Sequence, residues 1–371
     1  MKIALVIFPI HPSHGCILQT YALQQVLMHE GHDVTIIDRQ WNKPSILTKA
    51  KERLKIIIKM LSGKPAYSRY AVKKTLMSEL SSFVDANLQN RRIFYCSPSY
   101  EEYNDIDAFI VGSDQNWRPE YVSDVTHYFL SFVPQQTRVK RIAYAPSFGT
   151  EEWTYSEQLT DICKKLLQRF DAISVREETG IRLCKEYFNI DAVHVLDPTL
   201  LLDKTDYLKV TGLKLEDEDL LSYYLLDSSD SKMSIINVIC KTMKLTAQRI
   251  NNDTDNNKAP LRERIAPSIK KWIGGFAHSK FIVTDSFHAT AFAILFNKPF
   301  IVIANPDRGQ ARFESLLGKL GLINRMVFSS DYLTVELLHK PIDWKTVNKT
   351  LNEERNMSMK FILNALQPSD S

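Results

Sequence analysis

The stretch FIVTDSFHATAFAILFNKPFIVI, residues 281–303, decides the fold. A short apolar run ends in Thr284, Asp285 and Ser286, and His288 follows before an apolar helical segment, a Lys-Pro break and a second apolar run. A strand, a helix and a second strand in this order form a βαβ unit, so the two strands are expected to be parallel. Because open α/β sheets bind ligands beyond the carboxyl ends of their strands, the polar cluster with its imidazole marks a candidate site.

The same alternation of apolar runs and helical segments occurs in two series along the chain. Apolar runs of strand length occur at residues 2–8, 34–38, 108–114, 141–147, 172–177, 192–197, 220–226, 245–250, 280–285 and 299–303. A strand-poor, charged segment at 199–219 separates the two series and is interpreted as a linker. The 371 residues are about the length of two domains. We therefore predict an α/β fold of two parallel-sheet domains, residues 1–197 and 198–343, followed by a C-terminal helix and tail (344–371) whose helix packs back on the first domain.

Composition and motifs exclude several classes of protein. The net charge of +4 is too small to indicate a nucleic-acid-binding protein, and the apolar runs are shorter than the roughly 18 residues of a membrane span. The five cysteines are scattered without a CxxC pair, which is typical of reduced thiols in the cytoplasm. The N-terminal apolar run is too short for a signal peptide and is interpreted as a strand. The histidines show neither HExxH nor HxxxH spacing, so no metal site is expected.

Residues 45–74 are strongly basic, with nine lysines and arginines against one acid, Glu52. Six apolar residues fall on one helical face: Ile46, Ala50, Leu54, Ile57, Ile58 and Leu61. A basic amphipathic helix of this kind is suited to the surface of an anionic membrane. The alternative interpretation is an ordinary helix that packs its apolar face on the protein's own core and exposes its basic face to solvent.

Two further segments end at the predicted ligand edge of the first sheet. In HPSHGCILQTYALQQVL (11–27), a loop with a glycine leads into a helix, whose free N–H groups favour an anion. The segment contains neither a dinucleotide-binding nor a P-loop fingerprint. In DAFIVGSDQNW (107–117), a buried strand ends in polar residues and a tryptophan, a combination that suits a sugar.

Taken together, these segments resemble the polysaccharide pyruvyl transferase family. The resemblance rests on GCILQTYALQQVL, AFIVGSDQNW, ISVREETG, VLDPTLLL and the opening stretch, in this order along most of the chain. It implies a Rossmann-like, GT-B-like fold with the site in the cleft between the domains. It also implies transfer of the carboxyethylidene group of phosphoenolpyruvate to two hydroxyls of one sugar, without a cofactor. The acceptor would be a hexose of a surface polysaccharide or its lipid-linked precursor, met in the cytoplasm or at the inner face of the membrane.

The resemblance also implies roles for individual residues. His288 matches the family's histidine and is the candidate acid and base, since an imidazole with an ordinary pKa of about 6.5 serves either role near neutral pH. Ser286 stands where the family often has an arginine, so other arginines are needed to bind the donor. The expected donor-binding residues are Arg176, Ser286, Arg308 and Arg312. The expected acceptor-binding residues, in the first domain, are His14, Gly15, Gln19, Asp114, Gln115 and Trp117.

Two alternative functions remain open from the sequence. A GT-B-type glycosyltransferase that uses a nucleotide sugar would share the architecture, and acids follow a strand in LLDSSDSK (225–232). A non-catalytic sugar-binding relative would explain Ser286. Three outcomes distinguish the hypotheses. Release of phosphate from phosphoenolpyruvate would indicate the pyruvyl transferase, and consumption of a nucleotide sugar would indicate the glycosyltransferase. Sugar binding without turnover would indicate the non-catalytic relative.

Overall fold

Two parallel β-sheets form the framework of the protein. The computed structural model describes residues 1–41, 45–62, 67–254, 256–304, 310–329 and 332–367. Seven strands form the first sheet in the order β3-β2-β1-β4-β5-β6-β7. Their bounds are β1 Lys2–Ile7, β2 Asp33–Arg39, β3 Arg91–Phe94, β4 Ala108–Val111, β5 Lys140–Ala143, β6 Ala172–Val175 and β7 Val193–His194. Every pairing between neighbouring strands is parallel.

The second sheet has five strands in the order β12-β11-β10-β8-β9, and its pairings are also parallel. Their bounds are β8 Glu218–Tyr224, β9 Thr246–Arg249, β10 Ser279–Thr284, β11 Phe300–Ile303 and β12 Met326–Val327. The described side chains of β11 are all buried, as expected for a strand covered on both faces. The sequence prediction of two parallel-sheet α/β domains is therefore confirmed.

Helices connect the strands and cover the sheets. Those associated with the first sheet are α1 His14–His29, α2 Ile46–Leu61, α3 Arg69–Leu76, α4 Ser78–Asn87, α5 Glu157–Leu167 and α6 Glu178–Leu183. Those that follow are α7 Lys204–Thr211, α8 Asp230–Met243, α9 Ile269–His278, α10 Phe287–Leu295, α11 Ala311–Lys319, α12 Val335–His339 and α13 Trp344–Leu366. Every residue of helix α10 is buried except His288, which is partly exposed. A helix that is surrounded by protein in this way is expected to be apolar on nearly all sides.

The segment between the sheets is more ordered than a linker. It contains α7, which begins with a reciprocal capping box between Asp203 and Asp206 and ends at Gly212 in the left-handed conformation. Tyr207 is fully buried, and its hydroxyl donates to the carbonyl of Thr199 at 2.9 Å. The segment interpreted as a linker from the sequence, 199–219, thus contains an ordered helix, and its role as a linker stays a prediction. The domain boundaries at 197 and 343 stay predictions.

The C-terminal helix α13 contacts the end of the first domain. The hydroxyl of Ser358 accepts from the backbone N–H of Leu196 at 3.0 Å, and the Phe361 ring lies 6.4 Å from that of Tyr144. Arg355 donates to the carbonyls of Leu200 at 2.8 Å and Leu202 at 3.3 Å. The helix thus supports the chain segment that carries Asp197.

Candidate active site

A cleft of about 260 Å³ lies between the carboxyl ends of the two sheets. The first domain contributes residues from the loops after β1 and β4, and the second contributes residues from the loop after β8, from α9 and from the start of α10. The residues that line it and matter below are Ser13, Gly15, Asp114, Gln115, Arg118, Tyr121, Asp285, Ser286, His288 and Arg312. Seven of these lining residues were singled out from the sequence, and they meet at one place, as the strand-end rule predicts. They are Gly15, Asp114, Gln115, Asp285, Ser286, His288 and Arg312.

The most notable contact in the cleft joins His288 of the second domain to Asp197 of the first. Nε2 of His288 lies 3.6 Å from Oδ2 of Asp197, and the carboxylate is fully buried. Nε2 is itself buried and makes no hydrogen bond within the described part of the chain. The imidazole and the carboxylate therefore lie just beyond hydrogen-bonding distance of each other, and a protonated imidazole would form an ion pair with the carboxylate.

Asp197 follows β7 and is held in place by several donors. Its carboxylate accepts from Nη1 of Arg176 at 2.8 Å, and from the backbone N–H and hydroxyl of Thr199 at 3.0 and 2.7 Å. Ser113 donates a longer bond of 3.3 Å. Burial opposes ionisation, but the nearby His288, the charge of Arg176 and the hydrogen bond from Thr199 hold the pKa of Asp197 well below its usual range. The carboxylate is therefore charged at neutral pH.

Arg176 lies beneath the cleft rather than in it. Its side chain is fully buried, and Nη2 lies 3.7 Å from Oδ1 of Asp114 in addition to the bond with Asp197. Its guanidinium carbon lies 4.9 Å from the centre of the Phe287 ring. Burial disfavours its charge, but Asp197 and Asp114 raise its pKa above the usual value. Arg176 thus links two carboxylates, and its expected contact with the donor stays a prediction.

Asp114, in the loop that follows β4, adopts an unusual backbone conformation. Its φ of 85° lies in the left-handed region, which costs a non-glycine residue about 1 kcal/mol or more. Its carboxylate accepts from Nε2 of Gln19 at 3.0 Å and from the N–H of Gln115 at 2.9 Å. Burial raises its pKa, but the charges of Arg176, His288 and His11 outweigh that effect and lower it. The strained turn therefore presents an ionised carboxylate to the cleft.

Gly15 provides the space that His288 occupies. A Cβ atom on Gly15 would lie 2.2 Å from Nδ1 and 2.4 Å from Cγ of the imidazole, closer than any real contact. A glycine at this second position of α1 therefore lets the ring of the second domain lie directly against the backbone of the first.

His14 lies beside the cleft and is used by the structure itself. Its Nε2 hydrogen-bonds the carbonyl of Pro267 at 2.8 Å, and its ring stacks on Trp272 at 5.3 Å. Burial lowers its pKa to about 4, so the ring is neutral at pH 7. Both partners belong to the second domain. His14 therefore joins the two domains, and its expected contact with the acceptor stays a prediction, as does that of Gln19.

The structure corrects the expectation for Trp117. Its indole is fully buried, stacks on Phe129 at 4.9 Å and donates to the carbonyl of Tyr128 at 3.0 Å. A ring without exposed surface cannot carry a sugar, and the aromatic residue after the polar turn is part of the core instead. Gln115, in contrast, lines the cleft and accepts from Arg118 at 3.0 Å.

The second domain contributes the loop and helix start that the opening stretch predicted. Asp285 is buried and accepts from Nζ of Lys232 at 2.6 Å and from the N–H of Leu226 at 2.7 Å, so it fixes the loop after β8. Ser286 precedes α10 and lines the cleft. Arg312 also lines it, and burial, followed by the charge of Arg176, lowers its pKa to about 10. Arg308 lies outside the described residues.

Sequence reasoning missed three residues of this site. Asp197 closes the first strand series and belongs to VLDPTLLL, so the strand-end rule that found Asp285 would have found it. Arg118 and Tyr121 line the cleft with their side chains 4.1 Å apart, from guanidinium carbon to ring centre. No sequence pattern points to these two. Within the described ranges, no group of three or more His, Cys, Asp or Glu side chains is placed to hold a metal ion.

The fold and cleft define a two-domain, GT-B-like α/β protein whose polar site lies between its parallel sheets. Among solved structures, the chain is similar to the UDP-GlcNAc 2-epimerase of Methanocaldococcus jannaschii, with 13% identity, a TM-score of 0.50 and 99% of each chain covered. A second similar structure is an α-glucosyltransferase in complex with UDP, with 10% identity, a TM-score of 0.46, and 98% of this chain and 96% of that chain covered. At 13% identity, the likeness to the epimerase shows the fold alone.

The family follows from the sequence match. The model of the polysaccharide pyruvyl transferase family matches residues 14–308, which is most of the chain, and the protein belongs to that family. A search of curated proteins found no match.

Proposed function

We propose that this protein transfers the carboxyethylidene group of phosphoenolpyruvate to two hydroxyls of one hexose, in a bacterial surface polysaccharide or its lipid-linked precursor. The products are a cyclic pyruvate ketal and inorganic phosphate. Membership of the polysaccharide pyruvyl transferase family supports the reaction class. The observation that carries the proposal is the imidazole of His288, placed between the Asp197 carboxylate and the cleft.

The reaction needs an acid that gives a proton and a base that takes one. The methylene carbon of phosphoenolpyruvate gains a proton and becomes a methyl group, while both sugar oxygens bond to the central carbon and the carbon–oxygen bond to phosphate breaks. The two hydroxyls lose one proton each, of which one balances the new methyl group and the other leaves with phosphate. An imidazole does both steps near neutral pH and contributes about 10²–10⁴ in rate. We assign this role to His288, which lines the cleft beside the buried carboxylate of Asp197.

Phosphoenolpyruvate carries a phosphate and a carboxylate, and the cleft offers several donors for them. Arg312 keeps its charge at neutral pH despite the lowered pKa, because a value of about 10 is still well above 7. Arg118 also lines the cleft, from the first domain. Helix α10 begins at Phe287, so its free N–H groups point towards the Ser286 end of the cleft. We assign to these groups together the donor-binding role of the arginine that the family often has where this chain has Ser286.

The decisive experiment follows phosphate release from phosphoenolpyruvate with a panel of hexosides. We expect turnover with at least one hexoside, and His288→Ala should reduce kcat at least about 100-fold while the far-UV circular dichroism and the melting temperature stay unchanged. Normal turnover in a folded His288→Ala variant would remove the catalytic role. Consumption of a nucleotide sugar would instead favour a glycosyltransferase, and saturable sugar binding without turnover would favour a non-catalytic relative.

We further propose that helix α2 brings the protein to an anionic membrane. All described side chains of α2 are exposed except those of Glu52 and Ile56, which are half-buried. Apart from Ile56, its large apolar residues are more than half exposed, from 53% at Ile57 to 85% at Ile46. The interpretation that this face packs on the core is therefore wrong. No helix within the described ranges is long and apolar enough to cross a membrane.

Vesicle sedimentation tests the role of α2. Each cation near an anionic surface contributes about 1 kcal/mol at low ionic strength, and salt screens this attraction. We expect the protein to sediment with vesicles that contain phosphatidylserine at low salt and to be released as salt rises. The charge-reversed variant is K49E/K51E/R53E/K55E. The control with the same change of charge on other exposed lysines is K241E/K270E/K271E/K345E.

The two variants must differ for the proposal to hold. The α2 variant should lose vesicle binding yet keep activity on a short water-soluble acceptor, while the control should retain most of its binding. If both variants bind equally well, or if the wild-type protein does not sediment at low salt, α2 has no role at the membrane.

A further inference from the structure

A second cavity, of about 430 Å³, lies beside the cleft. It is bordered by the residues that follow β2, by α3, and by the segment of the second domain that contains Asn257 and Arg264. His11 lines both this cavity and the active-site cleft, and its charge acts on Asp114. The two spaces are therefore neighbours that share a wall at His11.

The wall of this cavity is positively charged. Arg69, Lys73 and Arg264 line it, and no carboxylate does so within the described part of the chain. Arg264 is fixed by bonds from Nη2 to the carbonyl of Thr254 at 3.1 Å and to Oδ1 of Asn257 at 2.8 Å. None of the three cations forms a salt bridge with another described residue. A group of like charges on two elements of separate domains is stabilised by an anion between them.

Lys73 is especially informative because it is only half-exposed. Its Nζ hydrogen-bonds Oε1 of Gln40 and lies 5.5 Å from the centre of the Trp41 ring. Burial lowers its pKa despite the charge of nearby Asp38, whose carboxylate already pairs with Arg91 at 2.9 Å. An anion in the cavity would relieve this cost.

Aromatic surface accompanies the positive charge. The indole of Trp41 is 42% exposed and the ring of Tyr67 is 55% exposed, and both line the cavity. The ring of His11 meets that of Trp41 edge-on at 6.4 Å, at the side that leads to the cleft. Exposed aromatic faces of this kind suit the apolar face of a sugar ring.

We propose that this cavity binds the anionic end of the acceptor, a phosphate or diphosphate attached to its sugar, while a sugar ring packs on Trp41 and the reacting hydroxyls reach past His11 to His288. The inference rests on the proposed function, because it assigns the acceptor of that reaction. Two guanidinium forks and an ammonium match a multiply charged phosphate better than a single carboxylate. The position of the cavity next to α3, whose first N–H donates to Glu52 of α2 at 2.7 Å, places this anion close to the helix that we assign to the membrane.

The test compares phosphorylated and neutral acceptors in matched variants. Lys73→Gln and Arg264→Gln remove cavity cations, while Lys74→Gln and Arg262→Gln remove exposed neighbours that do not line the cavity. We expect the preference for a hexose 1-phosphate over the methyl hexoside, measured as the ratio of their KM values, to fall at least tenfold in each cavity variant. The two control variants should keep that preference.

Direct binding without phosphoenolpyruvate provides the independent measurement. Calorimetry should show tenfold weaker binding of hexose 1-phosphate and of pyrophosphate to Lys73→Gln. Trp41→Ala should weaken binding of hexose 1-phosphate more than that of pyrophosphate, because only the former carries a sugar. A methyl hexuronoside tests whether a carboxylate on the sugar is enough for binding to the cavity. Tighter binding of the methyl hexuronoside than of hexose 1-phosphate overturns the assignment.

The outcomes separate this inference from the proposed reaction. If phosphoenolpyruvate is turned over with a neutral hexoside but the phosphorylated acceptor is not preferred, the inference fails and the reaction stands. If no acceptor supports turnover but Lys73→Gln and Arg264→Gln still lose hexose 1-phosphate binding, the reaction fails and the binding site stands. If these variants raise the KM of phosphoenolpyruvate instead, the cavity is the donor site and the inference is wrong.

Discussion

Gly15→Ala tests whether contact between the domains positions His288. The added Cβ would lie 2.2 Å from Nδ1, 2.4 Å from Cγ and 2.7 Å from Cε1 of the imidazole. Non-bonded carbon atoms prefer separations of about 3.5–4.0 Å, so the ring must move by about 1 Å or more. The backbone of α10 cannot absorb this shift easily, because its other residues are buried. The imidazole must therefore turn away from Gly15.

The expected effect is on catalysis rather than on folding. A displacement of about 1 Å from a reactive geometry reduces the rate roughly 100-fold. Alanine is a better helix former than glycine by about 1 kcal/mol, which offsets part of the steric cost in unfolding free energy. We therefore expect kcat for phosphate release to fall about 100-fold, with a melting temperature near that of the wild-type protein.

Two comparisons make the result specific. Gly274→Ala adds the same methyl group to α9, where the Cβ would meet only Leu213 at an ordinary 3.8 Å, so it should leave kcat unchanged. In a His288→Ala background, Gly15→Ala should have little further effect, because the ring with which it collides is absent. Unchanged kcat in Gly15→Ala, or effects that simply multiply in the double variant, would refute the argument.

Four further predictions address neighbouring residues. Asp197→Asn should lower the unfolding free energy by about 3–5 kcal/mol in urea titrations, since it leaves the fully buried Arg176 without its main partner. Arg312→Gln should raise the KM of phosphoenolpyruvate about tenfold or more, with little change in that of the acceptor, in steady-state assays of phosphate release. Trp117→Phe should lower the melting temperature without changing the KM of the acceptor, because the indole is in the core. His14 has a pKa of about 4 in the folded protein and about 6.5 when unfolded. Its contribution of roughly 3 kcal/mol to the unfolding free energy is therefore present above pH 6.5 and is lost as the pH falls to 4. The pH dependence of urea unfolding should weaken in His14→Gln.

The sequence predicted most of the architecture because the sheets are parallel and buried. Strands such as β1, β10 and β11 are continuous apolar runs, and polar residues follow them at the ligand edge. The same regularity located His288, Gly15 and Asp114 in one cleft. Strand β3 escaped prediction because it is a short edge strand that begins with two arginines, and its apolar residues Ile93 and Phe94 are too few to form a strand-length apolar run.

The orientation of individual side chains could not be predicted. Trp117 and Gln115 lie within the same polar turn, yet one is buried in the core and the other lines the cleft. The turn itself depends on the left-handed conformation of Asp114, which the sequence does not specify. Likewise, a histidine and a glycine in one loop gave no indication that His14 would hydrogen-bond Pro267 of the second domain.

The charges around His288 explain how one imidazole can couple the two proton transfers of the proposed reaction. Asp114 and Asp197 both have lowered pKa values and remain ionised, while Arg176 carries one positive charge between them. These three groups alone sum to one negative charge, and in the proposed reaction the proton-donating form of His288 balances it. When the imidazole gives its proton to the methylene carbon, the buried cluster is left with an uncompensated charge, which costs free energy in a medium of low polarity. Taking a proton from the attacking hydroxyl restores neutrality, so donor protonation and acceptor activation are linked through the carboxylate that the first domain contributes.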